Sequence, residues 1–150
     1  MIYIKNNLRK FTINKRKIEN QIKKILKHLK YEDFDIGIWF TTNKTIKNFN
    51  KIYRKKDKTT DILSFPYHTE IKPNQKITAK TPEDKNLGDI IISLEFVKNH
   101  AKKSNLLLES YITMLLAHGI SHLLGHDHET DKDYKLMQKL ENKLISLIQQ

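Results

Sequence analysis

A chain of 150 residues can bury about two thirds of its unfolded surface and is expected to form one domain, residues 1–150, without disulfide staples. The absence of cysteine excludes thiolate metal ligands and cysteine nucleophiles, and it suits a reducing compartment. A net charge of +11, from 28 Lys and Arg against 17 Asp and Glu, either attracts polyanions such as nucleic acid or an acidic membrane, or merely solvates a lysine-rich surface.

Residues 1–8 alternate enough for a strand and contain no apolar run of signal-peptide length. Asn14 is placed to cap a helix in which Ile18, Ile22, Ile25, Leu26 and Leu29 recur at helical spacing. Residues 34–40 alternate like a half-buried strand, after which Thr42 or Asn43 caps a short helix through Ile46, Phe49 and Ile52. Residues 61–65 read as a strand stopped by Pro66. The polar stretch 68–86, with Pro73 and Pro82, is expected to be an exposed loop. Ile90, Ile91 and Ile92 give residues 87–93 the pattern of a strand buried on both faces.

Three helices follow, over about 94–103, 106–124 and 131–148. The second carries an apolar stripe of Leu108, Ile112, Leu115, Leu116, Ile120 and Leu123. The third carries Tyr134, Met137, Leu140, Leu144, Leu147 and Ile148, a face expected to pack on the core. No segment approaches the ~18 apolar residues of a membrane span. A soluble, cytoplasmic protein with no membrane partner is therefore expected. The order strand, helix, strand, helix, strand, strand and then three helices makes an α+β domain, with its chemistry in the helical half.

That chemistry is concentrated in residues 118–128, which hold four of the seven histidines. His118 and His122 are four apart, so on a helix they stack one turn above each other and flank the apolar stripe. Gly125 tolerates the left-handed conformation that commonly ends a helix, and a reversal there swings His128 back towards the pair. Three neutral imidazoles suit one zinc ion with a fourth position left for water, the open form of a catalytic site. His126 is an alternative fourth ligand. It is expected to lie outside the ligand set, because 126 and 128 flank Asp127 and point oppositely in an extended segment.

Metalloproteases of the familiar type place a glutamate directly after the first histidine, where this chain has Gly119. Asp127 is the nearest acid. It either orients a ligand imidazole, manages protons itself, or stabilises the turn beside Gly125. Only three arginines occur, Arg9, Arg16 and Arg54, and Arg54 stands among Lys51, Lys55, Lys56 and Lys58 just before a strand. Its planar fork either clamps a phosphate or makes an ordinary ion pair with Asp57 or Asp61.

Three stretches, His118-Gly119-Ile120-Ser121-His122-Leu123-Leu124-Gly125-His126-Asp127-His128, Tyr53-Arg54-Lys55-Lys56-Asp57 on to Thr60-Asp61-Ile62-Leu63-Ser64-Phe65-Pro66, and Leu87-Gly88-Asp89-Ile90-Ile91-Ile92-Ser93, together resemble the YbeY family. Its members are bacterial single-strand-specific endoribonucleases, also described as rRNA maturation factors. The histidine string is the specific motif; the other two support it, in family order. The resemblance implies a small mixed sheet packed against about five helices, one zinc ion on His118, His122 and His128 at the end of a core helix and the following turn, and a functional Arg54. It also implies maturation of the small-subunit rRNA 3′ end and late ribosome quality control, with single-stranded RNA, the ribosome and ribosomal proteins as partners. Two positions depart from the pattern: His126 stands where tyrosine is usual, and Ser121 where leucine is usual.

The expected function is thus a zinc-dependent endoribonuclease in which Arg54 and Asp127 are the candidate catalytic residues. The nucleophile stays open between a water activated at the metal and a ribose 2′-hydroxyl. Two rivals are a metalloprotease-like hydrolase, disfavoured by Gly119, and a non-catalytic zinc-containing RNA-binding factor of ribosome assembly.

Overall fold

Four strands and five α-helices form over residues 1–149, the residues that the computed structural model describes. They are β1 (Ile2–Asn6), α1 (Lys15–Leu29), β2 (Asp35–Thr41), α2 (Asn43–Arg54), β3 (Ile62–Pro66), β4 (Asn86–Ser93), α3 (Leu94–Lys103), α4 (Leu108–Leu123) and α5 (Asp131–Ile148). The sheet order is β1-β2-β4-β3, with β1, β2 and β4 parallel and β3 antiparallel to β4. This is the small mixed sheet with about five helices that the resemblance implies.

Helix ends follow their capping residues. Asn14 Oδ1 accepts from Lys17 N at 3.0 Å and opens α1, while Lys30 closes it in the left-handed region at φ 64°. Thr42, not Asn43, caps α2 by accepting from Thr45 N at 3.2 Å. β1 stops at Asn6, short of the expected Leu8. There the Asn6 side chain accepts from Leu8 N at 3.1 Å and donates to Phe11 O at 3.0 Å, turning the chain out of the sheet. α4 opens at Leu108, with Leu107 in the capping position.

The period-2 alternation of the strands divides the apolar residues between two layers. Ile36, Ile38 and Phe40 of β2 and Ile90 and Ile92 of β4 face the main core, where Ile22 and Ile25 of α1 and Leu116 and Ile120 of α4 meet them. Each such fully buried side chain contributes ~1.5–3 kcal/mol relative to exposure. On the opposite face α2 packs Ile46 against Leu63 and Ile91, with Trp39, Phe49 and Phe65 around them. The buried Gln21 side chain donates to Thr113 Oγ1 at 3.0 Å and to the Ile148 carbonyl at 3.4 Å, tying α1 to α4 and α5.

The segment between β3 and β4 departs from the exposed loop predicted by its polarity. Ile77 is buried, Ile71 and Ala79 pack on the main core, and the Ile77 amide donates to Tyr31 Oη at 3.0 Å. Lys76 Nζ donates to the carbonyls of Leu29 and Lys30 at the end of α1. Three apolar residues spaced through a polar stretch are enough to dock it, although they form no helix or strand period. Among the described residues no helix is long and apolar enough to cross a membrane.

Candidate metal centre

His118 and His122 lie one turn apart on α4, and the turn after it returns His128 to them. Ring centroids are 4.6 Å apart for 118 and 122, 5.9 Å for 118 and 128, and 5.4 Å for 122 and 128. One ring nitrogen from each falls within 4.8 Å of the other two. Gly125 makes the reversal possible. Its φ is 89°, and a Cβ there would collide with the carbonyl of Ile71. The amides of Gly125 and His126 donate to His122 O and Ser121 O, closing the helix end.

The protonation of the rings follows from their outer partners. His118 Nδ1–H donates to Glu141 Oε1 at 3.1 Å, and His122 Nδ1–H donates to the His126 carbonyl at 2.9 Å. With both rings neutral, each Nδ1 therefore carries the proton and each Nε2 presents a lone pair. Those two Nε2 atoms face each other at 3.1 Å, where neither can donate. Two acceptors held so close fit a shared cation. Tetrahedral zinc with bonds of ~2.0–2.1 Å sets neighbouring nitrogens ~3.3 Å apart. Burial, with a smaller contribution from neighbouring His118, pushes His122 down to about 4, so at neutral pH it is an uncharged ligand-type imidazole. The donor set fits a divalent metal.

Glu141, on α5, was not among the sequence-derived candidates. Its only signal is an acid between Leu140 and Leu144 of the core stripe, half-buried where the helix meets α4. The orienting role considered for Asp127 thus belongs, for His118, to a carboxylate 23 residues further along the chain. Asp127 itself lines the cleft, and its Oδ1 accepts from Glu129 N at 3.2 Å, the turn-stabilising contact. The His126 ring is buried and is not part of the trio, although it lines the same cleft, and its Nδ1 has no hydrogen-bond partner among the described residues. Burial pushes its pKa down.

Arg54 ends α2 at the rim of the same cleft, a cavity of about 890 Å³ that also receives Ser64, Glu70 and the three histidines. Its Nη2 donates to Ser64 O at 2.8 Å and its Cζ lies 5.1 Å above the Phe65 ring. It pairs with neither Asp57 nor Asp61. Lys47 stands 4.0 Å from Asp57, and Asp61 accepts from Tyr111 Oη at 3.0 Å. That contact, after burial, pushes Tyr111 up to about 12. At the position where metalloproteases carry glutamate, a Cβ on Gly119 would stand 2.7 Å from Ile90 Cδ1 and 3.1 Å from Ile62 Cδ1. A side chain at 119 would enter the core rather than the cleft.

Over nearly its whole length the chain matches proteins named as endoribonucleases. The family model described as Endoribonuclease YbeY matches residues 3–149. An Endoribonuclease YbeY from Persephonella marina is 37% identical over 98% of this chain and 92% of its own length. One from Homo sapiens is 33% identical over 96% of this chain and 86% of its own length. The solution structure of a Thermotoga maritima protein superposes with a TM-score of 0.64 at 25% identity, covering 99% of this chain and 89% of that one. The chain belongs to the YbeY family.

Proposed function

We propose that residues 1–150 act as a single unit, a zinc-dependent endoribonuclease specific for single strands. The observation that carries this reading is the pair of Nε2 lone pairs of His118 and His122 facing each other at 3.1 Å beside His128. Three nitrogen donors without cysteine favour zinc with an open coordination position. An ion held there supplies Lewis-acid stabilisation of phosphoryl oxygen and lowers the pKa of a coordinated water to near ~7.

The chain's own residues do the rest. Glu141 and the His126 carbonyl hold the two helix imidazoles in the tautomer that aims Nε2 inward. Arg54 uses one N–H on Ser64 O and offers its remaining donors to a phosphate, where they stabilise charge that grows during cleavage. Asp127 keeps Oδ2 free of hydrogen bonds among the described residues and is the proposed proton acceptor. A single strand bends into the cleft, which a stacked duplex resists. Family membership supports the finer reading: maturation of the small-subunit rRNA 3′ end and ribosome quality control, with the ribosome and its proteins as partners, in the cytoplasm.

The test combines metal content with cleavage. Protein purified without added metal is expected to contain about one zinc per chain and to cut single-stranded RNA but not unstructured peptide. His118→Ala is expected to abolish cutting while RNA binding persists. A metal-replete chain that holds no ion, or one that cuts peptide and not RNA, overturns the proposal, as does undiminished cutting by His118→Ala.

A further inference from the structure

The sheet face opposite the main core is only partly covered. α2 lies over one end of it, and the row formed by Tyr3, Gly37, Asp89 and Phe65, aligned across all four strands, stays open. Tyr3, Trp39, Phe49, Tyr53 and Phe65 wall a groove of about 480 Å³ there. Tyr3 and Tyr53 are each more than half exposed, and Phe49 stacks on Tyr53 with centroids 5.7 Å apart. Gly37 brings no side chain to the floor, and the Asp89 carboxylate fills the place of its Cβ. Asp89 makes no side-chain hydrogen bond or ion pair among the described residues.

The two ends of the groove are cationic. Lys5 Nζ stands 5.0 Å over the Trp39 ring, and Arg54 Cζ stands 5.1 Å over Phe65. Arg54 also lines the histidine cleft, as do Ser64 and Pro66, while Phe65 between them faces the groove. β3 is therefore a thin wall with the metal centre on one side and the aromatic groove on the other, and Arg54 sits at its rim. A polyanion lying along Arg54 meets both.

We propose that this groove is a nucleobase pocket of the RNA-binding surface and that it selects guanine, with the Asp89 carboxylate accepting from the N1–H and N2–H of its Watson–Crick edge. The proposal rests on the ribonuclease reading above and adds a base preference to it. Every base has a face that stacks on aromatic rings, so the rings alone do not choose. The carboxylate does. It only accepts hydrogen bonds, and guanine alone presents two adjacent N–H donors on that edge. Uracil flanks its single N–H with carbonyls, and adenine and cytosine set one amine beside a bare ring nitrogen. A base stacked on Trp39 takes over the place of the Lys5 ammonium, which then meets the adjoining phosphate.

Trp39 is the chain's one tryptophan, so its emission reports the groove alone. The experiment titrates the metal-loaded protein with uridine hexamers carrying one central guanosine, inosine, adenosine or cytidine, and follows cleavage of the all-uridine hexamer in parallel. The guanosine hexamer is expected to quench Trp39 and to bind roughly five- to a hundredfold tighter than the adenosine one. Inosine, which lacks the N2 amine, is expected to fall between. In Asp89→Asn the guanosine advantage shrinks to within about twofold, because an amide N–H opposes a donor. Asp89 is exposed and unpartnered, so this variant retains the fold. Tyr3→Ala is expected to weaken all hexamers alike. Equal affinity for every hexamer while RNA is still cut overturns the pocket and leaves the ribonuclease reading standing. Failure to cut any RNA overturns that reading instead. Quenching by a lysine-rich peptide but by no RNA makes the groove a protein-docking site, and a guanosine preference that survives Asp89→Asn removes Asp89 from the account.

Discussion

Removing Glu141 tests whether the proposed metal centre extends beyond its three imidazoles. In Glu141→Ala the His118 Nδ1–H loses its carboxylate, and the ring is free to flip or to move its proton to Nε2, where it blocks the metal. Hydrogen bonds to charged groups contribute ~1.5–3 kcal/mol. With the imidazole 30% and the carboxylate 23% exposed, the lower end applies. A loss of ~1.5 kcal/mol is about tenfold in affinity, the lower bound for partners that orient metal-binding histidines. Glu141→Gln keeps a neutral acceptor and should lose only about threefold, since neutral hydrogen bonds contribute ~0.5–1.5 kcal/mol. Competition for zinc against a chromogenic chelator at constant pH measures both, with circular dichroism to confirm the fold. Equal zinc affinity in the wild type and both variants would refute the orienting role.

Arg54→Lys should lower the RNA cleavage rate at least tenfold despite keeping the charge, because the planar fork is lost; wild-type rates would reduce Arg54 to a surface cation. Gly119→Ala should cost ~1–3 kcal/mol, read as a drop of roughly 2–10 °C in thermal midpoint, because its methyl group meets Ile90 and Ile62. An unchanged midpoint would show that the helix–sheet contact has slack. Metal-free protein should lose stability as the pH falls from about 6.5 towards about 4: an unfolded His122 takes up a proton near the ordinary imidazole value of 6.5, whereas the folded one resists until about 4. Thermal midpoints measured from pH 7.5 to 4.5 give the curve, and a midpoint independent of pH over that window would contradict the buried, neutral His122.

Much of this was legible because it was local. Helical spacing and a following glycine brought His118, His122 and His128 together on paper, and period-2 alternation marked β2 and β4. Glu141 was not legible, because its partner lies on another helix and nothing in α5 marks one acid among its polar positions as special. The docked segment before β4 was missed for a related reason: Ile71, Ile77 and Ala79 follow no period, and what holds them is the surface they meet. Arg54 stood out by its rarity among lysines. That it touches Ser64 O and Phe65 rather than an aspartate depended on how β3 lies beside α2.

The contact between the Ile71 carbonyl and Gly125 bears on how this chain tolerates re-engineering. A polar stretch with two prolines looks like a natural place to splice a tag or open a circular permutant. Yet this stretch is anchored at Tyr31, leans on the reversal that delivers His128, and forms one bank of the cleft. Lengthening it by a few residues threatens the placement of an imidazole some fifty positions away, so insertions are better placed at the exposed turn between α3 and α4.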